Sequence, residues 1–215
     1  MKNRKYLLFD LDGTVTNSAP GIIDSAVFAI KQMGFEVPPM SVLKQFVGPP
    51  LRYSFAHYVG MSELQAEQAI AIYRESYAAG GIYNNSLYDG VKEFLEKAKS
   101  SGKVLLLATS KPEKSVYVVL DYLGIRKYFD FVSAASFSPE LDSKTKIIER
   151  AISMCDCEKS DCVMIGDRLY DVEGATNNGI ECIGILNGSG LYDELNNAGA
   201  VLIVEDYKTL SEILL

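Results

Sequence analysis

The chain has 215 residues, 48% of them hydrophobic, which suits one domain with a substantial core or one domain carrying a modest insertion. Its formal net charge of −7 argues against a nucleic-acid partner held on a basic face. The single histidine, His57, excludes multi-histidine metal sites and leaves a Ser-His-Asp triad one candidate base, so any chemistry here must run on carboxylates.

Taken in chain order, the first apolar run is 5–9 (KYLLF). It follows basic residues as a signal peptide would, but Asp10 interrupts it after Phe9. That is far short of a signal h-region, and it reads as a short buried strand. No window approaches the roughly 18 uninterrupted apolar residues of a membrane-spanning helix, so no membrane partner and a cytoplasmic location are expected.

Residues 17–82 then hold only helical patterns, such as 22–33 and 63–77. The second opens with Ser62 as N-cap and Gln65 three residues on, the pattern of a capping box. Pro-Pro pairs at 38–39 and 49–50 punctuate the block. A helical block placed directly after a first strand predicts a cap subdomain at 17–82, inserted into a core made of 1–16 and 83–215. Within it, Tyr53 and Phe55 are expected in the cap core and His57 in a structural role.

From residue 89 onward a regular alternation sets in. Amphipathic stretches at 89–100, 112–123, 143–154 and 170–178 separate short apolar runs at 103–108, 131–134, 162–165 and 181–185. A weak strand near 200–204 and a helix at 207–214 close the chain. Near-continuous apolar strands alternating with helices predict an α/β fold, a Rossmann-like doubly wound parallel sheet covered on both faces. The Gly-rich stretch 184–190 (GILNGSG) lacks the Lys-Ser/Thr of a P-loop and is read as a turn. Cys155, Cys157, Cys162 and Cys182 are read as reduced, partly buried thiols, with no two-residue spacing of a zinc or redox pair.

The polar residues cluster where strands end. The first strand runs into Asp10-Leu11-Asp12-Gly13-Thr14, the run at 103–108 into Thr109-Ser110-Lys111, and the run at 162–165 into Gly166-Asp167-Arg168, with Asp171 a turn later. Open parallel sheets bind ligands outside the carboxyl ends of their strands, so Asp10, Asp12, Thr109, Asp167 and Asp171 should share one rim. Carboxylates that close repel one another unless a cation neutralises them, and hard oxygen ligands without His or Cys point to Mg²⁺. A carboxylate facing a phosphoryl group beside that ion is a plausible nucleophile, and a second carboxylate two residues along can protonate the leaving oxygen. Asp10 and Asp12 fit those roles. Thr109 can donate to a phosphoryl oxygen, and a lysine from the start of the helix after 131–134 can balance the charge in transfer. Lys144 is the first choice for it and Lys146 the second.

Quoted together, DLDGTVTNS (10–18), LLLATSKP (105–112), Lys144 and MIGDRLYDVEGATNNGI (164–180) resemble the four signature motifs of the haloacid dehalogenase-like hydrolase superfamily, over essentially the whole chain. The nearest likeness is to its phosphoglycolate phosphatase-like branch. That resemblance implies Asp10 as nucleophile, Asp12 as acid/base, and Thr109 and Lys144 as phosphate contacts. It implies Mg²⁺ held by the Asp10 side chain, the Asp12 backbone carbonyl and Asp167, with Asp171 in support. GPPLR (48–52) is similar to a cap segment that relatives turn towards substrate, which makes Arg52 a candidate substrate contact. Ser110 stands where many relatives carry Asn and is the second substrate-binding candidate.

The expected function is Mg²⁺-dependent hydrolysis of a small phosphorylated metabolite: phosphoglycolate, a nucleoside monophosphate or a sugar phosphate. The alternatives are a sugar-phosphate mutase of the same superfamily and, from another class, a phospho-acceptor signalling protein or a non-catalytic binding protein.

Overall fold

The protein is described from a computed structural model covering residues 1–136 and 142–215. Its first strand, β1 (Tyr6–Phe9), is flanked on both sides in the sheet, and Leu7, Leu8 and Phe9 are fully buried. A strand covered on both faces has no polar side to alternate with, which is why its sequence reads as one apolar run.

The chain next enters a separate compact unit, Asn17–Ser86. It leaves the first unit through β2 (Thr16–Asn17), which pairs with the returning β3 (Ser86–Leu87) in a two-stranded sheet. Between them lie α1 (Ala19–Gln32), α2 (Met40–Leu43), α3 (Leu51–Val59) and α4 (Glu63–Ala79). The Ser62 capping box is present: the Ser62 hydroxyl accepts from the Gln65 backbone N–H, and the Gln65 side chain accepts from the Ser62 N–H at 3.0 Å. Phe46, Phe55 and Tyr73 build an edge-to-face aromatic core in this unit. Phe55 is buried as expected. Tyr53 is not: it is 47% exposed and stacks on His57, with ring centroids 4.9 Å apart. Two places apart on α3, the two side chains cannot share one face of the helix.

The remainder of the first unit, Leu87–Leu215, carries α5 (Val91–Ser100), β4 (Val104–Pro112), α6 (Glu113–Tyr122), β5 (Phe131–Ala135) and α7 (Lys144–Ser153). These are followed by β6 (Cys162–Gly166), α8 (Leu169–Asn177), β7 (Glu181–Ile185), α9 (Tyr192–Ala198), β8 (Leu202–Val204) and α10 (Tyr207–Leu214). Among the described residues the sheet has six strands in the order β5-β4-β1-β6-β7-β8, every pairing parallel. Alternation along β1 sends its side chains to two cores. Leu8 joins Leu106, Met164, Ile147, Ile148, Val172 and Ala175 under α7 and α8. Phe9 packs edge-on against Phe94 of α5 at 5.9 Å, and Phe94 in turn against Tyr207 of α10 at 5.5 Å. Helices therefore cover both faces, as the doubly wound reading requires.

Two elements differ from the sequence-based expectation. β4 does not stop at Ala108 but runs on to Pro112. Its register with β5 shifts between Thr109↔Ala134 and Pro112↔Ala135, so Ser110 and Lys111 form a bulge. The stretch between β7 and β8, given no helix by its sequence, contains α9, whose buried anchor is Leu195 alone. One buried residue in a seven-residue helix leaves too short a helical period to read.

Candidate active site

All the strand-end carboxylates belong to the first unit, and the pairing of β1 with both β4 and β6 sets their spacing. Phe9 lies opposite Leu107 and Ile165, so Asp10 follows on the same rim as Ala108–Thr109 and Gly166–Asp167. The backbone N–H of Asp10 donates to the Ile165 carbonyl at 3.0 Å, continuing the ladder to the site.

Lys144, at the N-terminus of α7, joins the elements. Its Nζ lies 2.7 Å from Asp10 Oδ1 and 2.8 Å from Asp171 Oδ1, and donates to the Ala108 carbonyl at 2.9 Å. The lysine side chain is 7% exposed. Lys146, the second choice, points elsewhere, to Glu149 at 2.7 Å on the helix surface. Ser143 caps α7, its hydroxyl accepting from the Lys146 N–H, and that cap fixes where the helix starts and so where Lys144 points.

Asp167 is wholly buried. Its Oδ1 accepts from the Thr14 hydroxyl at 3.1 Å and its Oδ2 from the Ser189 backbone N–H at 3.0 Å. Asp171, in the first turn of α8, uses Oδ2 to accept from the Arg168 N–H at 3.1 Å, a helix-capping bond, and leaves Oδ1 to Lys144. Asp171 thus caps α8 with one oxygen and meets Lys144 with the other. Gly13, at φ +90°, turns the chain so tightly past Asp167 that a Cβ there would overlap its carboxylate.

Carboxylate oxygens of Asp10, Asp167 and Asp171 lie within 4.8 Å of one another. Burial pushes Asp10 up to about 6, opposed by Lys144 and reinforced by Asp171. Burial pushes Asp167 further, to about 8, with Asp171 and Asp10 adding to it. Burial works against the charge of Lys144, but Asp10 and Asp171 hold that ammonium above its ordinary range. One lysine against this cluster of buried acids leaves negative charge uncompensated. An all-oxygen donor set with surplus negative charge fits a hard divalent cation such as Mg²⁺.

Asp12 points away from that cluster. Both its oxygens accept from Lys111 Nζ at 3.0 Å. Lys111, buried at the β4 bulge, was given no role by its sequence, where a lysine after a strand reads as solvated. Thr109 is buried beside it, its hydroxyl accepting from the Lys111 N–H at 3.2 Å, while Ser110 is exposed. The turn at 186–190 also proves to matter: the Ser189 N–H holds Asp167, and a Cβ on Gly188 would overlap both Asp167 and the Gly13 carbonyl. The stretch 184–190 carries no P-loop pattern, and a supporting loop leaves no motif of its own. Arg52 lies in the other unit, on α3, paired with Glu67 at 2.5 Å.

The family model for haloacid dehalogenase-like hydrolases matches residues 7–185. A solved structure of a predicted phosphatase from Clostridium acetobutylicum superposes with a TM-score of 0.92 at 39% identity, covering 98% of this chain and 97% of that one. The 5′-nucleotidase of Pseudomonas aeruginosa is 33% identical over 97% of this chain and 94% of its own. Tyrosine-protein kinase PtkA of Mycobacterium tuberculosis is 34% identical over 93% of this chain and 68% of its own. A phosphoglycolate phosphatase of Vibrio cholerae is 28% identical across the full chain.

Proposed function

Because the chain belongs to the haloacid dehalogenase-like hydrolase family, in its phosphoglycolate phosphatase-like branch, and is a phosphoric monoester hydrolase, we propose that it works through a phosphoryl group carried on Asp10. The observation that carries this reading is the contact of Asp10 Oδ1 with Lys144 at 2.7 Å, inside a buried cluster with Asp167 and Asp171.

In the proposed reaction an Asp10 oxygen attacks phosphorus in line with the ester oxygen, and the alcohol leaves as the aspartyl-phosphate forms. Asp12, oriented by Lys111, gives a proton to the departing oxygen. It then takes one from the water that attacks phosphorus and restores Asp10. Lys144 holds Asp10 ionised and balances charge as the phosphoryl group moves, and the Thr109 hydroxyl donates to a phosphoryl oxygen. The side chains of Asp10, Asp167 and Asp171, with the Asp12 backbone carbonyl, are the residues proposed to hold Mg²⁺. When bound, that ion would neutralise the carboxylates and polarise the phosphoryl oxygens.

The proposed substrate is a small phosphate monoester met in the cytoplasm, with substrate choice resting on Ser110 and on the inserted unit, Arg52 included. The relative named 5′-nucleotidase makes a nucleoside monophosphate the first candidate, ahead of phosphoglycolate and sugar phosphates.

The test is phosphate release from a panel of 5′-nucleotides, phosphoglycolate, hexose phosphates and an aryl phosphate, with Mg²⁺ and with chelator. Release that needs Mg²⁺ and is lost in Asp10→Asn is the expected result. Isomerised hexose phosphate without net phosphate release would favour the mutase reading. Release that survives Asp10→Asn would overturn the mechanism.

A further inference from the structure

Three of the four cysteines meet at the connection from α7 to β6, at the end of β6 remote from Asp167. Cys155 Sγ lies 2.9 Å from Cys157 Sγ, and Cys157 Sγ lies 3.3 Å from Cys162 Sγ. The residue between the first pair, Asp156, is the one described non-glycine residue with positive φ, at +44°. That left-handed turn brings the side chains of residues 155 and 157 to the same side, where an extended strand would also align them but with the sulfurs further apart. Cys155 and Cys157 are partly exposed and Cys162 is buried.

The three sulfurs form a row and not a triangle. A single ion held by three thiolates at about 2.3 Å would need every pair of sulfurs about 3.8 Å apart. Among the described residues, the group whose ligand atoms all lie within 4.8 Å of one another is Asp10, Asp167 and Asp171. A row with a shared middle sulfur suits covalent pairing instead. A disulfide bond is about 2.0 Å long, so Cys155 and Cys157, at 2.9 Å, need to close by about 0.9 Å.

We propose that Cys155-Asp156-Cys157 is a reversible oxidation site, a dithiol that a peroxide converts to an intramolecular disulfide with Cys157 as the pivotal sulfur. In the first step the Cys157 sulfur attacks one oxygen of hydrogen peroxide. The O–O bond breaks, and the departing hydroxide leaves as water with the thiol proton, giving a sulfenic acid. In the second step the Cys155 sulfur attacks the Cys157 sulfur, the S–O bond breaks, and a second water leaves with the Cys155 proton. Two thiols lose two electrons and the peroxide gains them. An external dithiol reverses the change by exchange. Burial and the adjacent Cys157 push the Cys155 thiol up to about 12, and the same causes raise Cys162. Cys157, within 3.3 Å of both neighbours, is the sulfur whose sulfenic acid either neighbour can reach, which assigns the first attack to it.

The experiment is titration of the reduced protein with hydrogen peroxide, quenched by a thiol-alkylating reagent and mapped by mass spectrometry without reductant. The expected result is a Cys155–Cys157 cross-link that dithiothreitol removes, with Cys182, buried in the sheet, still alkylated as a free thiol after denaturation. Cys162→Ser keeps that cross-link, and Cys155→Ser moves it to Cys157–Cys162. Cys157→Ser abolishes it, because the outer sulfurs do not meet. Each variant is compared with wild type for its thermal midpoint, so loss of fold is seen separately. Sulfinic acid formed without a cross-link, a Cys155–Cys162 cross-link in Cys157→Ser, or oxidation of Cys182 ahead of the others would overturn the proposal.

Discussion

Asp12 and Lys111 form a pair with both carboxylate oxygens at 3.0 Å from one ammonium, side chains 17% and 4% exposed. A carboxylate held that way is fixed in place, and in the proposed mechanism the pair would set where a proton is given and taken. Lys111→Met should therefore lower kcat on an alkyl phosphate, whose poor leaving group needs that proton, by roughly 10²-fold. An aryl phosphate, whose leaving group departs unaided, should lose far less. Steady-state rates on the two esters decide it, and an equal fall on both would show that Lys111 supports the site's structure and not Asp12's proton. Sequence reasoning gathered Asp10, Asp12, Thr109, Lys144, Asp167 and Asp171 because each sits where a strand ends or a helix begins. It passed over Lys111 because nothing in SKP tells a buried lysine from a solvated one. Only the bulge, which is a property of the β4–β5 pairing, turns that side chain inward.

The elements carry the site through a few contacts that join distant parts of the chain. The turn at 186–190 touches Asp167 from the far side of β7, through the Ser189 N–H and the close approach of Gly188. Gly188→Ala would push its Cβ into Asp167 and the Gly13 carbonyl at once. The expected outcome is a folded protein needing about 10–100-fold more Mg²⁺ for half-maximal activity, the usual cost of disturbing a group that orients a ligand. A Mg²⁺ titration of phosphate release measures it, and an unchanged midpoint would contradict the support assigned to this turn. Strands and long helices were legible here because their apolar periods are long enough to read. The bulge and α9 were not, since a two-residue register shift and a single buried Leu195 leave no period.

At the scale of the whole molecule the buried acids set how stability depends on pH. Asp10 and Asp167 ordinarily titrate near 3.8, and burial raises them to about 6 and about 8. The folded protein then binds protons more tightly than the unfolded chain does. Their contribution is fully present below about pH 4 and is lost as pH rises through about 6 and then about 8. In chelator, the part of stability due to these two groups should fall across that window. Added Mg²⁺ should raise the thermal midpoint, and by more at pH 8 than at pH 5, because the proposed cation would bind the ionised cluster. Differential scanning fluorimetry at the two pH values reads it, and an equal Mg²⁺ shift at both would contradict the account of the cluster. The α/β architecture was legible at this scale from the alternation after residue 89 and its interruption by helical patterns at 17–82. The chain returns to the first unit at Leu87, four residues beyond the 83 read from sequence, where β3 holds the crossing.

The central claim is that Asp10 itself carries the phosphoryl group. Asp12→Asn mixed with an aryl phosphate tests it most directly, since the first step proceeds without an acid and the second then lacks its base. The account predicts a burst of one aryl alcohol per active site, and borohydride reduction of the quenched protein should convert Asp10 to homoserine. No burst, no homoserine at position 10, and continued turnover by Asp10→Asn would together show that water attacks the ester without Asp10.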